Sequence, residues 1–160
     1  ARLPSADGLT EAFLSAGVPR SKLGVGLSFN GYVWSGGEVS RPGQAWRTTP
    51  AIKSVPYYVL AEAYRLEEGD EASGDGRWDA AAQAAYISVE GAGPGEEQFV
   101  SYCSSRSAAV AVKYARSRGI GGLIIWDIAA GYRAKQPPGR RDLLLQAVKR
   151  ARLGASAGPK

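Results

Sequence analysis

The chain has 160 residues, 44% hydrophobic and 22% charged, which is enough for one domain with a real core and unlike a disordered segment. It has no histidine and one cysteine, Cys103, which excludes Ser–His and Cys–His nucleophile pairs and an internal disulfide and argues against a zinc site. The net charge is +5, with eight basic residues against one acid, Asp142, between Arg133 and Lys160.

Asp7 to Ala16 reads as a helix with Leu9, Phe13 and Leu14 on one face and Gly17 as its stop. Lys22 to Phe29 reads as a strand whose glycines suggest close backbone approach, and Asn30-Gly31-Tyr32-Val33-Trp34 continues from its end. Ser35 to Thr49 is loop-rich, with Gly36, Gly37, Pro42 and Gly43. Ser54 to Leu66 reads as a helix capped by Ser54, with Pro56 in its first turn. Glu67 to Gly76 is acidic and Gly-rich and reads as an exposed loop. A strand is expected around Ala85 to Val89, a turn at Gly91 to Gly95 and a further strand at Gln98 to Tyr102.

The second long helix is expected from Ser105 to Arg118, stopped by Gly119. Gly121-Gly122-Leu123-Ile124-Ile125-Trp126-Asp127 follows it. This apolar, β-branched run without polar alternation predicts a buried parallel strand. A Trp at the exit of such a strand lies where α/β barrels place their ligand sites. A final helix, Arg141 to Leu153, turns Leu143, Leu144, Leu145, Ala147 and Val148 mostly inward, and Ala155 to Lys160 reads as a disordered tail. The order predicts an α/β fold. Residues 1–34 and 99–153 are expected to form βα units of a parallel sheet or barrel, 35–98 an α+β insertion subdomain, and 154–160 a flexible tail. There is no internal repeat, no recognisable signal peptide and no stretch of membrane-spanning length. The start at Ala1 fits a processed protein and a cut fragment equally.

Four stretches together resemble the C-terminal part of a family 18 glycoside hydrolase, the chitinase family. Ala16-Gly17-Val18-Pro19-Arg20-Ser21-Lys22-Leu23-Gly24-Val25-Gly26 resembles the entry to strand seven of its (β/α)8 TIM barrel. Asn30-Gly31-Tyr32-Val33-Trp34 resembles that strand's exit motif, usually Tyr-Gly-Arg with a Trp soon after. Gln98-Phe99-Val100-Ser101-Tyr102, with Ser107 and Lys113, resembles the segment before helix seven, and Gly121 to Asp127 resembles strand eight. Gly131-Tyr132-Arg133 and Arg141-Asp142-Leu143-Leu144 extend the likeness. The resemblance implies strands seven and eight with flanking helices, and an insertion that walls one side of a sugar cleft.

The family's catalytic signature, Asp-x-x-Asp-x-Asp-x-Glu on strand four, matches none of the 15 acidic residues. On this resemblance the chain lacks barrel strands one to six and is about a quarter of the barrel plus its insertion. Other positions depart as well. Asn30 stands for the motif's Tyr, Tyr32 for its Arg, Cys103 for the Asp after the Ser-Tyr pair, and Asp127 for the Glu after the strand-eight Trp.

Family hydrolysis is substrate-assisted, with the sugar's acetamido oxygen attacking the anomeric carbon while a Glu protonates the leaving oxygen. By resemblance Trp126 is the floor under the reacting sugar, and Trp126, Asn30, Tyr32, Trp34, Tyr102 and Asp127 are the candidate substrate-binding residues. A core or lid role for Trp126, a pin between insertion and barrel for Trp34 and a structural hydrogen bond from Asp127 are the competing readings. Cys103 is either inert or a thiol acidified by a helix start. No catalytic residue, metal or cofactor is expected. The implied partners are chitin or chito-oligosaccharide, and either the rest of the barrel or a second copy of the chain. The family resemblance implies an extracellular location. The chain is expected to be inactive alone, with a non-catalytic glycan-binding or protein-assembly module as the alternative. The basic C-terminal stretch reads either as an anion-binding surface or as a solvated helix face, and the lack of interleaved aromatics argues against nucleic acid.

Overall fold

The computed structural model describes residues 5–39, 41–66, 76–91, 93 and 96–154. In chain order these form α1 (Ala6–Ser15), β1 (Gly24–Ser28), β2 (Asn30–Ser35), β3 (Ala51–Pro56), α2 (Tyr57–Ala63), β4 (Gly76–Asp79), β5 (Ala84–Val89), β6 (Gln98–Tyr102), α3 (Ser105–Ser117), β7 (Gly122–Trp126) and α4 (Leu143–Leu153). Short 3₁₀ turns lie at Arg20–Lys22 and Ala129–Gly131. Of the loop expected from Glu67 to Gly76, residues 67–75 lie outside the described residues and Gly76 opens β4; part of the turn at 91–95 and the tail at 155–160 also lie outside them.

One helix-ending device appears twice, and each time a parallel strand follows. After α1, Gly17 takes φ 84° and its N–H donates to the Leu14 carbonyl while the Val18 N–H donates to Phe13. After α3, Gly119 takes φ 63°, its N–H donates to Arg116 and the Ile120 N–H donates to Ala115. A residue without Cβ makes this left-handed turn without strain, so both glycines stop their helices where the sequence predicts. Ser5 and Ser104 cap the helix starts, accepting from the N–H groups of Gly8 and Ser107 at 3.0 and 3.1 Å.

Strands β1 and β7 pair in parallel, Gly24 opposite Gly122 and Ser28 opposite Trp126. Leu27, Leu123 and Ile125 pack on the core. The opposite face is open, with Ile124 and Trp126 62% and 74% exposed. The expectation of a wholly buried strand is therefore corrected: helices cover one face of this pair, so burial alternates although polarity does not. Helix α1 is a second departure. It has no buried residue, and Leu9 and Phe13 line a groove with Leu23, Val25 and Ile120. Its hold on α3 is polar, through the Tyr114 hydroxyl donating to Asp7 Oδ1 at 3.0 Å and an Arg118–Glu11 ion pair.

The other sheet is antiparallel throughout, in the order β3-β2-β6-β5-β4. It takes residues from both sides of the division expected at 34/35 and 98/99, which falls inside β2 and β6. The helix expected from Ser54 starts three residues later. Residues 51–56 form the edge strand β3, with Ser54 opposite Tyr32, and Pro56 rather than Ser54 is the N-cap of α2. Proline lacks the N–H that would continue a ladder, so it is suited to end an edge strand and open a helix.

The core lies between α2, α3, α4 and one face of this sheet. Phe29, Tyr57, Leu60, Leu66, Ile87, Val100, Val112, Leu143 and Leu144 are its most deeply buried large side chains. Gly31 allows α2 to sit directly on β2. A Cβ there would lie 2.5 Å from Leu60 Cδ1 and 2.7 Å from the Ser101 carbonyl oxygen. Gly31→Ala is therefore expected to lower unfolding stability by about 1–3 kcal/mol in urea titration. An unchanged midpoint would show that α2 can shift away freely.

Candidate functional site

From Gly26 to Trp34 the side chains alternate without a slip. Leu27, Phe29 and Gly31 are buried, while Gly26, Ser28 and Tyr32 are exposed and Asn30 and Trp34 half-buried. Phe29 alone separates β1 from β2 and forms a bend between them, so the chain passes there from the parallel pair into the antiparallel sheet. Trp126 stands opposite Ser28 in the parallel register, at the C-terminal ends of both strands. Trp126 thus lies beside the exit of β1, and Asn30, Tyr32 and Trp34 follow on β2, which begins two residues after Ser28.

The polar groups at these strand ends have identifiable partners. The Asn30 N–H donates to Ser28 Oγ at 3.3 Å. The Trp126–Asp127 peptide is cis, and Asp127 Oδ1 accepts the Ala130 N–H at 2.7 Å. Asp127 thus caps the 3₁₀ turn that follows β7, the structural bond weighed against a ligand role.

Tyr32 and Trp34 belong to a larger group of rings. Their centroids are 5.8 Å apart, and Trp34 lies 5.4 Å from Phe99 and 6.4 Å from Trp46. Tyr86 stacks on Phe99 at 5.9 Å. Trp46 comes from the loop after β2. It packs on Gly37, and the loop is closed by the Arg47 N–H donating to the Gly37 carbonyl and the Thr48 hydroxyl donating to Gly36. Ser54 and Ser101 flank Tyr32 in register, Ser88 stands opposite Phe99, and Arg77 opposite Tyr86. The arrangement offers flat apolar rings bordered by hydroxyls, suited to a ligand with apolar faces and a polar rim.

Tyr102 is a correction. It is 5% exposed, belongs to the core cluster and stacks on Tyr57 with centroids 6.3 Å apart. Ser101, its neighbour, is the β6 residue opposite Tyr32, so the period of two turns Tyr102 to the other side of the sheet. Trp46, Phe99 and Tyr86 were not among the expected site residues. The alternations Phe99/Ser101 and Tyr86/Ser88 carry a signal for the last two, whereas Trp46 lies in a loop with no period to read.

The remaining candidates disperse. The Cys103 thiol is half-buried and donates to the Ser104 carbonyl at 3.8 Å. Of the basic stretch, Arg133 is buried and donates to the Leu66 carbonyl, Lys135 pairs with Glu62, and Arg141 donates to the Gln136 carbonyl. Lys149 and Arg152 are exposed on α4. Among the described residues no group of three or more Asp, Glu, Cys or His could hold a metal, and no helix is long and apolar enough to cross a membrane.

The Asp127 bond can be tested by itself. Asp127→Ala is expected to cost about 0.5–2 kcal/mol of stability, as loss of a capping acceptor does, while Asp127→Asn keeps the acceptor and most of the stability. Urea unfolding of the pair reads this, and equal loss in both variants would mean that the charge, not the bond, matters.

Comparison with known proteins bears on the family and the fold. Residues 3–131 match the sequence profile of Glycosyl hydrolases family 18. Chitinase A1 of Niallia circulans is 26% identical over 126 residues, which is 74% of this chain and 17% of that protein. Among solved structures, the catalytic domain of chitinase B from Arthrobacter TAD20 superposes with a TM-score of 0.63 at 24% identity, covering 98% of this chain and 33% of that one. Human YKL-39, described as a pseudo-chitinase with retained chitooligosaccharide binding, superposes with a TM-score of 0.66 at 18% identity, covering 91% of this chain and 39% of that one. The chain thus spans well under half the length of these relatives, and its fold is derived from their TIM barrel. With the family profile matched over most of its length, the chain belongs to glycosyl hydrolase family 18 and is chitinase-like.

Proposed function

We propose that this chain forms one side of a chitin or chito-oligosaccharide cleft, with β1 and β7 as the seventh and eighth strands of a (β/α)8 barrel. On this reading residues 35–98 are the insertion that walls the cleft, and the setting is extracellular. The observation that carries the proposal is Trp126, 74% exposed at the C-terminal end of a parallel pair, with β2 and its Asn30, Tyr32 and Trp34 beginning two residues after its register partner Ser28. A pyranose presents an apolar C–H face that stacks on such a ring, while Asn30 and Tyr32 supply hydrogen bonds to its rim. The chitooligosaccharide binding named for human YKL-39 supports the reading at the level of the family.

Binding and turnover separate here. Substrate-assisted hydrolysis needs a carboxylic acid to protonate the leaving oxygen, and Asp127 already accepts the Ala130 N–H. The strand-four acid motif is not in this sequence. Calorimetry of the purified chain is therefore expected to detect chito-oligosaccharide binding that Trp126→Ala abolishes, with no cleavage of the ligand. Release of shorter sugars would overturn the inactive reading, and binding unaffected by Trp126→Ala would overturn the floor.

A second reading, a protein-assembly module, draws on exposed Leu9, Phe13 and Ile124 and on the outer edges of β1 and β7, which pair with no other strand among the described residues. Either the remaining barrel units or a second copy would cover them. Light scattering of the chain alone is expected to give species larger than a monomer. A compact, cooperatively folding monomer would count against both kinds of closure.

A further inference from the structure

The antiparallel sheet ends on one side at β3, and among the described residues no strand pairs with its outer side. Pro50 and Pro56 flank residues 51–55 rather than interrupt them, so each of these residues keeps the N–H that a further strand would need. Helix α2 leaves this edge uncovered. Leu60 sits directly on Gly31, one strand further in, and a groove of about 440 Å³ stays open between α2 and β3. Register places Val55, Lys53 and Ala51 beside Gly31, Val33 and Ser35, on the side of the sheet that carries α2, and Val59 forms part of the opposite wall. Val59 is 39% exposed, and Ile52, on the other side of the strand, is 62% exposed. Lys53 is the one charged residue lining the groove, and it has neither an ion pair nor a hydrogen bond among the described residues.

We propose that the β3 edge and the groove beside it dock an extended segment of a partner protein. The segment adds to the sheet as an antiparallel strand with a carboxylate side chain opposite Lys53. Its neighbours two residues away on either side are aliphatic and stand opposite Val55 and Ala51. Main-chain hydrogen bonds to the free edge supply affinity, and the alternate side chains supply selectivity. Charge decides the occupant. Two copies of the six-residue β3, paired antiparallel about a twofold axis, would bring their Lys53 side chains onto one side of the sheet within a few residues of each other, where like charges repel. An edge lysine guards a sheet against pairing with itself. The same lysine, unpaired beside an apolar groove, favours a strand that brings an acid. The proposal does not depend on the cleft reading, because β3 belongs to the sheet that contains neither β1 nor β7.

A charge swap tests the site. The probes are two fluorescently labelled synthetic peptides, acetyl-Ser-Val-Thr-Glu-Val-Leu-Ser-amide and its counterpart with Lys in place of Glu. Each is titrated by anisotropy against the full 160-residue chain and against Lys53→Glu and Val59→Lys, with circular dichroism as the check of folding. The Glu peptide is expected to bind the parent chain about three- to tenfold more tightly than the Lys peptide. Lys53→Glu is expected to reverse that order, and Val59→Lys, which places a charge in the groove, to weaken both peptides. Hydrogen exchange is expected to slow at the amides of residues 51–55 when the Glu peptide is bound. An unchanged order of the two peptides on Lys53→Glu would overturn the proposal. So would unaltered exchange at residues 51–55, or binding of neither peptide at about 1 mM. Protection of residues 51–55 that rises with chain concentration in the absence of peptide would overturn it as well, by assigning the edge to a second copy.

Discussion

The fold turns on Phe29. Its N–H donates to the Trp126 carbonyl at 2.8 Å and extends the parallel pair by one residue. Its carbonyl accepts the Tyr57 N–H at 3.0 Å and so ties the start of α2 to the same point. Its ring is 1% exposed and packs against Gly131, where a Cβ would come within 2.7 Å. One buried residue thus joins the parallel pair, the antiparallel sheet, α2 and the turn after β7. Phe29 is itself the bend between the two strands, so the chain turns from one sheet into the other on a buried residue.

Much of this was legible in the sequence, and the reasons are local. Gly17 and Gly119 end helices because their position needs a left-handed residue, a requirement visible wherever glycine follows an amphipathic stretch. The strands at 84–89 and 98–102 carry the period of two. Two things were hidden. The segment 51–56 is a strand because β2 offers it an edge, a tertiary cause that the helix-forming residues after Pro56 obscure. The burial of Tyr102 depends on which side of β6 faces α2 and α3, and one residue of register decides that. Among the candidate site residues, Trp126, Asn30, Tyr32 and Trp34 lie at two strand exits that the sequence marks, whereas the packing of Trp46 on Trp34 depends on a loop folding back over the sheet.

The departures from the family pattern acquire a physical meaning in this geometry. Asn30 and Tyr32 stand where the family resemblance implies Tyr and Arg. Where the family pattern has a cation, this chain has the ring of Tyr32, which lies 5.8 Å from that of Trp34.

The register that closes the insertion has a consequence for how the chain reaches this structure. Gly24 and Gly122, 122 − 24 = 98 positions apart, are neighbours across the parallel pair. A contact at that separation carries a large loop-closure cost and forms slowly. Yet Ser35 and Gln98, the two ends of the segment between, lie opposite each other on β2 and β6. Once that antiparallel sheet has formed, the distant halves of the parallel pair are joined by a link far shorter than the sequence suggests. The segment between β2 and β6 thus acts as a clasp that shortens the link between β1 and β7.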